Sequence, residues 1–311
     1  MKKNLLDFIV CPKCKRALTL VDPIYDNEEI KSGKLQCACG GTYCIKDYIP
    51  RFVPEDNYAD SFGFEWNIHR TTQLDSANNN LESEKRFLQN VDFPLSNLKG
   101  KIVLDAGCGM GRFVEIVLKY GGIVIGVDLS LAVEAAFKNL GRDKNVNFIQ
   151  ADIFNLPLRE GTFDFIYSLG VLHHTPDPKK AFKALPHFLK SGGEISITLY
   201  SAYQKIFVYN SKFWRFFTTR MPKKILYSLC HLAIPLYYLY KIPFLGELFK
   251  MFIVINLHPD WRWRLLDTFD WYSPKYQFWH VHYEVFKWFD ESDLHNIKVL
   301  EPGISFIGQK K

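Results

Sequence analysis

No stretch of the 311 residues offers the roughly 20 consecutive apolar residues that a membrane-spanning helix needs. The apolar stretch 225–240 runs for only 16 residues and contains His231 and Pro235, and Lys241, Glu247 and Lys250 interrupt the residues after it. The opening Met1-Lys-Lys-Asn-Leu-Leu-Asp7 has basic residues but no apolar core and no cleavage site, so it does not read as a secretory signal. Cysteine is scarce and unevenly placed. Of seven, five lie between Cys11 and Cys44, while Cys108 and Cys230 stand alone. An odd, clustered set argues against a secreted disulfide framework and for a reducing compartment, the cytoplasm, with a local metal site. With 48% hydrophobic and 23% charged residues, disorder is excluded for most of the chain. The length suits one large core or two domains.

Charge of one sign is nearly missing from one region. Residues 200–264 hold ten Lys/Arg against two Asp/Glu, although the whole chain carries only +6. The rest is therefore slightly acidic, and a partner chosen by charge should meet this region. Residues 200–289 also hold 27 of the 49 aromatic residues.

Within residues 1–54, Cys11-Pro-Lys-Cys14 is a C-x-x-C knuckle, and Cys37-Ala-Cys39 comes after a polar spacer. Four thiolates at such spacing suit a tetrahedral Zn²⁺. The second pair is C-x-C, and Cys44 close behind is an alternative ligand expected to stand aside. A closed four-sulfur site has no open position for a substrate, so the expected role is structural.

The centre of the chain is Val103-Leu-Asp-Ala-Gly-Cys-Gly-Met-Gly-Arg-Phe113. An apolar strand ends in an acid, three glycines alternate, and a helical pattern starts at Arg112. Strand candidates recur at 101–105, 123–128, 146–150, 163–168 and 194–200. Helix candidates lie between them at 112–120, 131–139 and 179–189. Apolar strands alternating with helices imply a parallel sheet covered on both faces, with ligands beyond the carboxyl ends of the strands. Asp105, Asp128, Asp152 and the stretch 168–174 all fall there. A nicotinamide dinucleotide fits poorly, because its third glycine is replaced by Arg112 and Asp105 would repel the pyrophosphate. An acid at that place suits an ammonium group.

These residues resemble the class I S-adenosylmethionine-dependent methyltransferases. Val103–Phe113 is similar to their first motif, Gly126-Val-Asp-Leu-Ser130 to the second and Gln150-Ala-Asp-Ile-Phe154 to the third. Residues 163–178 look like the fourth motif of the methyltransferase-11 branch that includes quinone-biosynthesis enzymes. Ser191-Gly-Gly193 resembles the turn before the fifth strand, with Ser191 where that branch usually has Pro. The resemblance implies that Asp105, Gly107, Gly109 and Gly111 hold the amino-acid end of S-adenosylmethionine. Asp128 and Leu129 would take the ribose, Asp152 and Ile153 the adenine, with Leu169 nearby. Each acid also has a plain structural use: Asp128 as a helix cap and Asp152 in a turn. Residues 1–54 resemble the short zinc-ribbon, Trm112-like modules at the front of many bacterial methyltransferases. The matching residues are Leu5-Leu6, both cysteine pairs with Gly40-Gly-Thr-Tyr43, and Asp47-Tyr-Ile-Pro-Arg-Phe52.

The fold expected is therefore α/β. A Rossmann-like, seven-stranded, mostly parallel sheet would carry a small N-terminal zinc ribbon and a helical cap insertion. The divisions are a zinc-ribbon module (1–54), an approach segment or lid (55–98), a cofactor-binding core (99–200), a basic aromatic cap (201–275) and a final helix and strands (276–311). Phe62 and Trp66, four residues apart, would share a face of the lid over the cofactor. His173 or His174 is the expected base or substrate positioner. Asp267, Asp270, Tyr272, His280 and His282 are candidates for substrate contact. The expected activity is methyl transfer to an oxygen or carbon of a small, lipid-like or lipid-linked acceptor, with peripheral membrane contact through 201–264. Two other readings stay open: an RNA methyltransferase using the zinc module and basic cap, and a non-catalytic S-adenosylmethionine-binding protein. Against RNA, the basic stretch is oily, and no N/D-P-P-[FY] motif comes after the fourth strand.

Overall fold

The computed structural model describes every residue except Glu55 and Pro302. Its centre is five parallel strands, β5 (Ile102–Ala106), β6 (Ile123–Asp128), β7 (Val146–Gln150), β8 (Phe163–Leu169) and β9 (Leu189–Leu199). They are preceded by β1 (Thr19–Asp26), β2 (Glu29–Gln36), β3 (Thr42–Lys46) and β4 (Ile49–Arg51), and followed by β10 (Leu294–Leu300) and β11 (Ile304–Lys310). All eleven form one sheet in the order β1-β2-β3-β4-β7-β6-β5-β8-β9-β11-β10. In place of the seven-stranded sheet expected, the sheet has eleven strands among the described residues. Arg51 of β4 pairs in parallel with Gln150 of β7, and the first four strands form an antiparallel meander on that edge.

The join is chemically firm. Arg51 donates to Gln150 and to Glu134 at 2.9 Å each. The Lys2 ammonium donates to the carbonyls of Gly141 and Val146. Leu5, Ile9, Ile30, Leu35 and Ile45 are buried in the same apolar cluster as Leu104 and Ile125. Paired edges and a shared core make residues 1–54 an extension of the sheet rather than a bead on a linker.

Helices cover both faces, as near-continuous apolar strands require. The chain order is α1 (Asp60–Ile68), α2 (Asp75–Asn78), α3 (Glu82–Asn90), α4 (Arg112–Lys119), α5 (Ala132–Leu140) and α6 (Pro178–Ala184). One face buries Phe87 and Val91, Val114 and Val117, Val133 and Ala136 from α3–α5 and their ends. The other buries Phe182 of α6 with Trp288 and Phe289. Asp177 caps α6 by accepting from Lys180 N–H at 3.0 Å, with Pro178 in the first turn. The helix expected to reach residue 189 stops at Ala184, because Pro186 cannot continue it. The strand expected to begin at Glu194 begins at Leu189 and passes through Ser191-Gly-Gly193 with a register shift against β8.

After β9 come α7 (Lys205–Thr218), α8 (Lys223–Cys230), α9 (Ala233–Tyr240), α10 (Leu245–Phe252) and α11 (Trp261–Tyr272), then α12 (His282–Asp290). α7, α8 and α9 each pack on α11, and α11 packs on α1. This places α11 beside the carboxyl edge of the sheet.

Candidate functional site

A cavity of about 590 Å³ opens beyond the carboxyl ends of the parallel strands. Its walls come from the turns after β5, β6 and β8, from Thr198 and Tyr200 at the end of β9, from α1 and from α11. Gly107, Gly109, Asp128, Leu129, Ile153, Leu169, Phe62 and Trp66, eight of the expected cofactor residues, line it.

The turn after β5 is bare backbone for a steric reason. Gly107 has φ +97°, and a Cβ there would lie 2.4 Å from Val171 Cγ1. Gly109 has φ +52° and lies under the indole of Trp66, with Nε1 3.4 Å from where its Cβ would be. Glycine alone meets both conditions without strain. Gly111 serves packing instead, since its Cβ would meet Leu140 at 2.9 Å. Asp105 is buried in β5 behind the turn, and its Oδ2 has no hydrogen-bond partner among the described residues. Burial pushes its carboxyl pKa well up. Asp105 does not itself line the cavity, whose floor here is Ala106, Gly107 and Cys108.

Asp128 ties the second strand to this turn. Its Oδ2 accepts Gly109 N–H at 2.9 Å, and its Oδ1 accepts from Ser130 N–H at 2.8 Å and Ser130 Oγ at 2.7 Å. Burial raises its pKa, and these three donors oppose the rise. Asp152 is placed differently. It caps the short 3-10 turn 153–155 by accepting Phe154 N–H at 3.0 Å, while the next side chain, Ile153, faces the cavity.

The other end of the cavity is polar and aromatic: Gln73, Arg86, Asn90, Tyr200, Asp267, Asp270 and Trp271. Asp267 is fully committed, accepting from Gln73, Asn256 and Trp263 at 2.8–3.1 Å. Asp270 is not, because its Oδ1 has no partner among the described residues. Burial, then the neighbouring Asp267, raise its pKa to about 7. Behind it, Glu65 of α1 is wholly buried with both carboxylate oxygens unpartnered among the described residues, and burial drives its pKa well up.

The two histidines part company. His174 lines the cavity. Its Nδ1 lies 2.9 Å from Tyr276 O, so that nitrogen carries the hydrogen and Nε2 keeps its lone pair. Burial lowers its pKa to about 3. His173 is removed from the cavity by its own packing: it has no exposed surface and stacks on Tyr200 with ring centres 3.8 Å apart. Three of the residues expected at the substrate are also elsewhere. Tyr272 OH donates to Val254 O at 2.8 Å and accepts from Val254 N–H, so it pins the segment 254–257 that walls the cavity. His280 sits against Trp288, and His282 bonds near Tyr203 and Gly303 outside the cavity. Sequence reasoning missed Tyr58, Gln73, Arg86, Asn90, Asn256 and Tyr200. They come from segments far apart in the chain and match no local motif.

Residues 104–197 match the family model described as a methyltransferase domain. That segment is under a third of the chain and is similar to the domain. It is 36% identical to the ubiquinone biosynthesis O-methyltransferase of Coxiella burnetii over 114 residues, covering 36% of this chain and 49% of that protein. It is 34% identical to the tRNA U34 carboxymethyltransferase of Campylobacter curvus over 175 residues, covering 54% of this chain and 59% of that one. A solved S-adenosylmethionine dependent methyltransferase from Mesorhizobium loti is 28% identical, with a TM-score of 0.34, over 38% of this chain and 54% of that one. The chain thus spans about half the length of the curated relatives it matches. The matched segment contains Asp105, the glycine turn, Asp128 and His174. It ends before Tyr200, Asp267 and Asp270.

Outside the matched segment, the structure gathers Cys11, Cys14, Cys37 and Cys39, whose Sγ atoms all lie within 4.8 Å of one another. Four sulfurs around zinc at about 2.3 Å stand about 3.8 Å apart, so the cluster has the right size. The closest pairs, Cys14 with Cys37 and Cys11 with Cys39, are 3.4 and 3.6 Å apart. Cys44 is exposed on β3, outside the cluster.

Proposed function

We propose that this chain transfers the methyl group of S-adenosylmethionine to an oxygen of a small, largely apolar acceptor. The observation that carries the reading is the continuity of the cavity. One space runs from the glycine turn and Asp128 to the unpartnered carboxyl of Asp270. The residues fit the cofactor. The Gly107–Gly109 backbone leaves room for its amino-acid end, Asp105 lies behind that turn, and Asp128 has lone-pair capacity left for a ribose hydroxyl. Ile153 and Leu129 give apolar walls for adenine. Bound there, the cofactor supplies a methyl group on a positively charged sulfur.

The protein contributes proximity, exclusion of water and a proton acceptor. Trp66 of α1 covers Gly109 of the turn, and Phe62 lies against His174 with ring centres 5.2 Å apart. Asp270 is the base this reading assigns, in place of the histidines. Its pKa of about 7 suits removal of a hydroxyl proton near neutral pH, while that of His174, about 3, makes it a weak base. His174 Nε2 is left as a hydrogen-bond acceptor that positions the substrate. Tyr200, Trp271 and the 254–257 segment would hold an aromatic or aliphatic body. The helices of 201–275 act as the cap, and the four cysteines hold a structural Zn²⁺ in a ribbon whose last strand extends the sheet.

The test is to incubate zinc-loaded chain with methyl-labelled cofactor and a small-molecule and lipid extract, and to identify the labelled product. A labelled hydroxyl-derived ether in the organic phase supports the reading. Demethylated cofactor without any acceptor dependence contradicts it. An RNA acceptor is the second reading, favoured by the positive charge of 200–264 and the likeness to a tRNA-modifying relative. It predicts a salt-dependent shift of RNA with the chain.

A further inference from the structure

α7 is built inside out. Its inward positions are Ser211, Arg215 and Thr218, spaced four and three residues apart on one face, and all are buried. Each is anchored. Ser211 Oγ donates to Gln277 Oε1 at 2.7 Å, the Arg215 guanidinium donates to Pro274 O, and Thr218 Oγ1 donates to Tyr272 O at 2.9 Å. These bonds fix the helix rotation, and the opposite face then presents Ile206, Tyr209, Phe213, Phe216 and Phe217 to the outside. A surface helix with water on its outer side would show the reverse.

The apolar surface continues beyond α7. Asn210 and Trp214 of α7 donate to the carbonyls that end α10, and Tyr240 of α9 stacks on Phe249 of α10. α8, α9 and α10 expose Ile225, Leu229, Tyr238, Leu248, Met251 and Phe252. Between α9 and α10, Phe244 takes φ +64°, which is unfavourable for a bulky side chain, and is 92% exposed. The surface is also charged in one sense. Lys205, Lys212, Arg220 and Lys224 are exposed and have no carboxylate partner among the described residues. Monomeric soluble proteins rarely expose a contiguous apolar area of this kind. Aromatic and aliphatic side chains interspersed with unpaired cations match the chemistry of an anionic lipid interface, where rings enter the headgroup boundary and lysines meet phosphates.

We propose that the outer face of α7–α10 docks on an anionic bilayer, with Phe213, Phe216, Phe217 and Phe244 inserted and Lys205, Lys212, Arg220 and Lys224 on the headgroups. No helix is long and apolar enough to cross a membrane among the described residues, so this is an interfacial contact. α10 runs directly into the 254–257 segment that walls the cavity, so the docked face is continuous with that wall. That an acceptor enters from the lipid along this path rests on the proposed methyl transfer; the docking itself does not.

The experiment is co-sedimentation of the full, zinc-loaded chain with vesicles of phosphatidylcholine alone or mixed with phosphatidylglycerol. No cofactor or acceptor is added, so failure here and failure of methyl transfer are separate results. Partition is expected to be roughly tenfold or more stronger on the anionic vesicles, and to fall as salt is raised. Combining Phe213→Ser, Phe216→Ser and Phe217→Ser should lower it by roughly a hundredfold. A second variant, Phe244→Ser, lies in a loop outside the packed helices and should lower it roughly tenfold with an unchanged melting curve. Equal partition on both vesicles, or partition that neither variant changes, overturns the proposal. So does a dimer in light scattering that Phe244→Ser converts to a monomer, because the face is then a contact between two copies.

Discussion

Asp128 accepts the backbone N–H of Gly109 at 2.9 Å, so the acid ending one strand fixes the turn that leaves its neighbour. The bond sets the shape of the cavity floor before any ligand arrives. Removing the carboxylate therefore acts twice, by loosening the turn and by withdrawing the ribose acceptor. Asp128→Ala is expected to weaken S-adenosylmethionine binding by about ten- to a hundredfold, and Asp128→Asn, which keeps one acceptor oxygen, by less. Calorimetric titration of both variants checks this.

Asp270 gives a prediction in pH. As the base it must be ionised, so turnover should be present above a pH of about 7 and lost as pH falls through that value. Asp270→Asn should lower kcat by about a hundredfold or more and abolish this limb of the profile, while cofactor binding is unchanged. A variant profile with the same limb assigns the titration to another group.

The fold was largely legible and the chemistry only half so. Strands 123–128 and 146–150 could be read to the residue, because each is a short, mostly apolar segment between polar turns. Of the residues expected at the cofactor, those that line the cavity from the parallel strands lie at or just after strand ends, whereas Phe62 and Trp66 come from α1. Asp152 shows the limit there. Its place at a strand end was correct, but its carboxylate closes a turn, and only coordinates distinguish a cap from a ligand contact. The polar and aromatic half comes from Gln73, Tyr200, α3, α11 and the 254–257 segment, which share no period or spacing. Asp270 was named among neighbours without a rule to rank it, and Tyr272, two residues on, points into packing. The continuation of the sheet through β4 was hidden because three residues and one Arg51–Gln150 pairing leave no signature in a sequence.

Glu65 gives a stability prediction. Its folded-state pKa is raised by burial, so its neutral form is favoured inside. The contribution is fully present below the unfolded pKa of about 4.3 and is lost as pH rises toward the folded one. Glu65→Gln removes the titration. The variant should melt higher than the parent at alkaline pH and lose that advantage as pH is lowered to about 4, as measured by thermal denaturation at a series of pH values. Parallel melting curves at every pH would show that Glu65 is not buried unpaired.

The four cysteines give a prediction in metal content. One zinc per chain should be released by a strong chelator, with a fall in melting temperature, because β1–β4 share their core with the central sheet. Cys14→Ser should lower zinc content in elemental analysis, while Cys44→Ser should leave it unchanged, since Cys44 is outside the cluster.

The central claim is that the cavity beyond the strand ends takes S-adenosylmethionine. The most direct measurement is calorimetric titration of that compound into the zinc-loaded chain. Saturable binding of one molecule per chain, weakened by Asp128→Ala, is the predicted result; a folded, zinc-loaded chain that binds none contradicts the account.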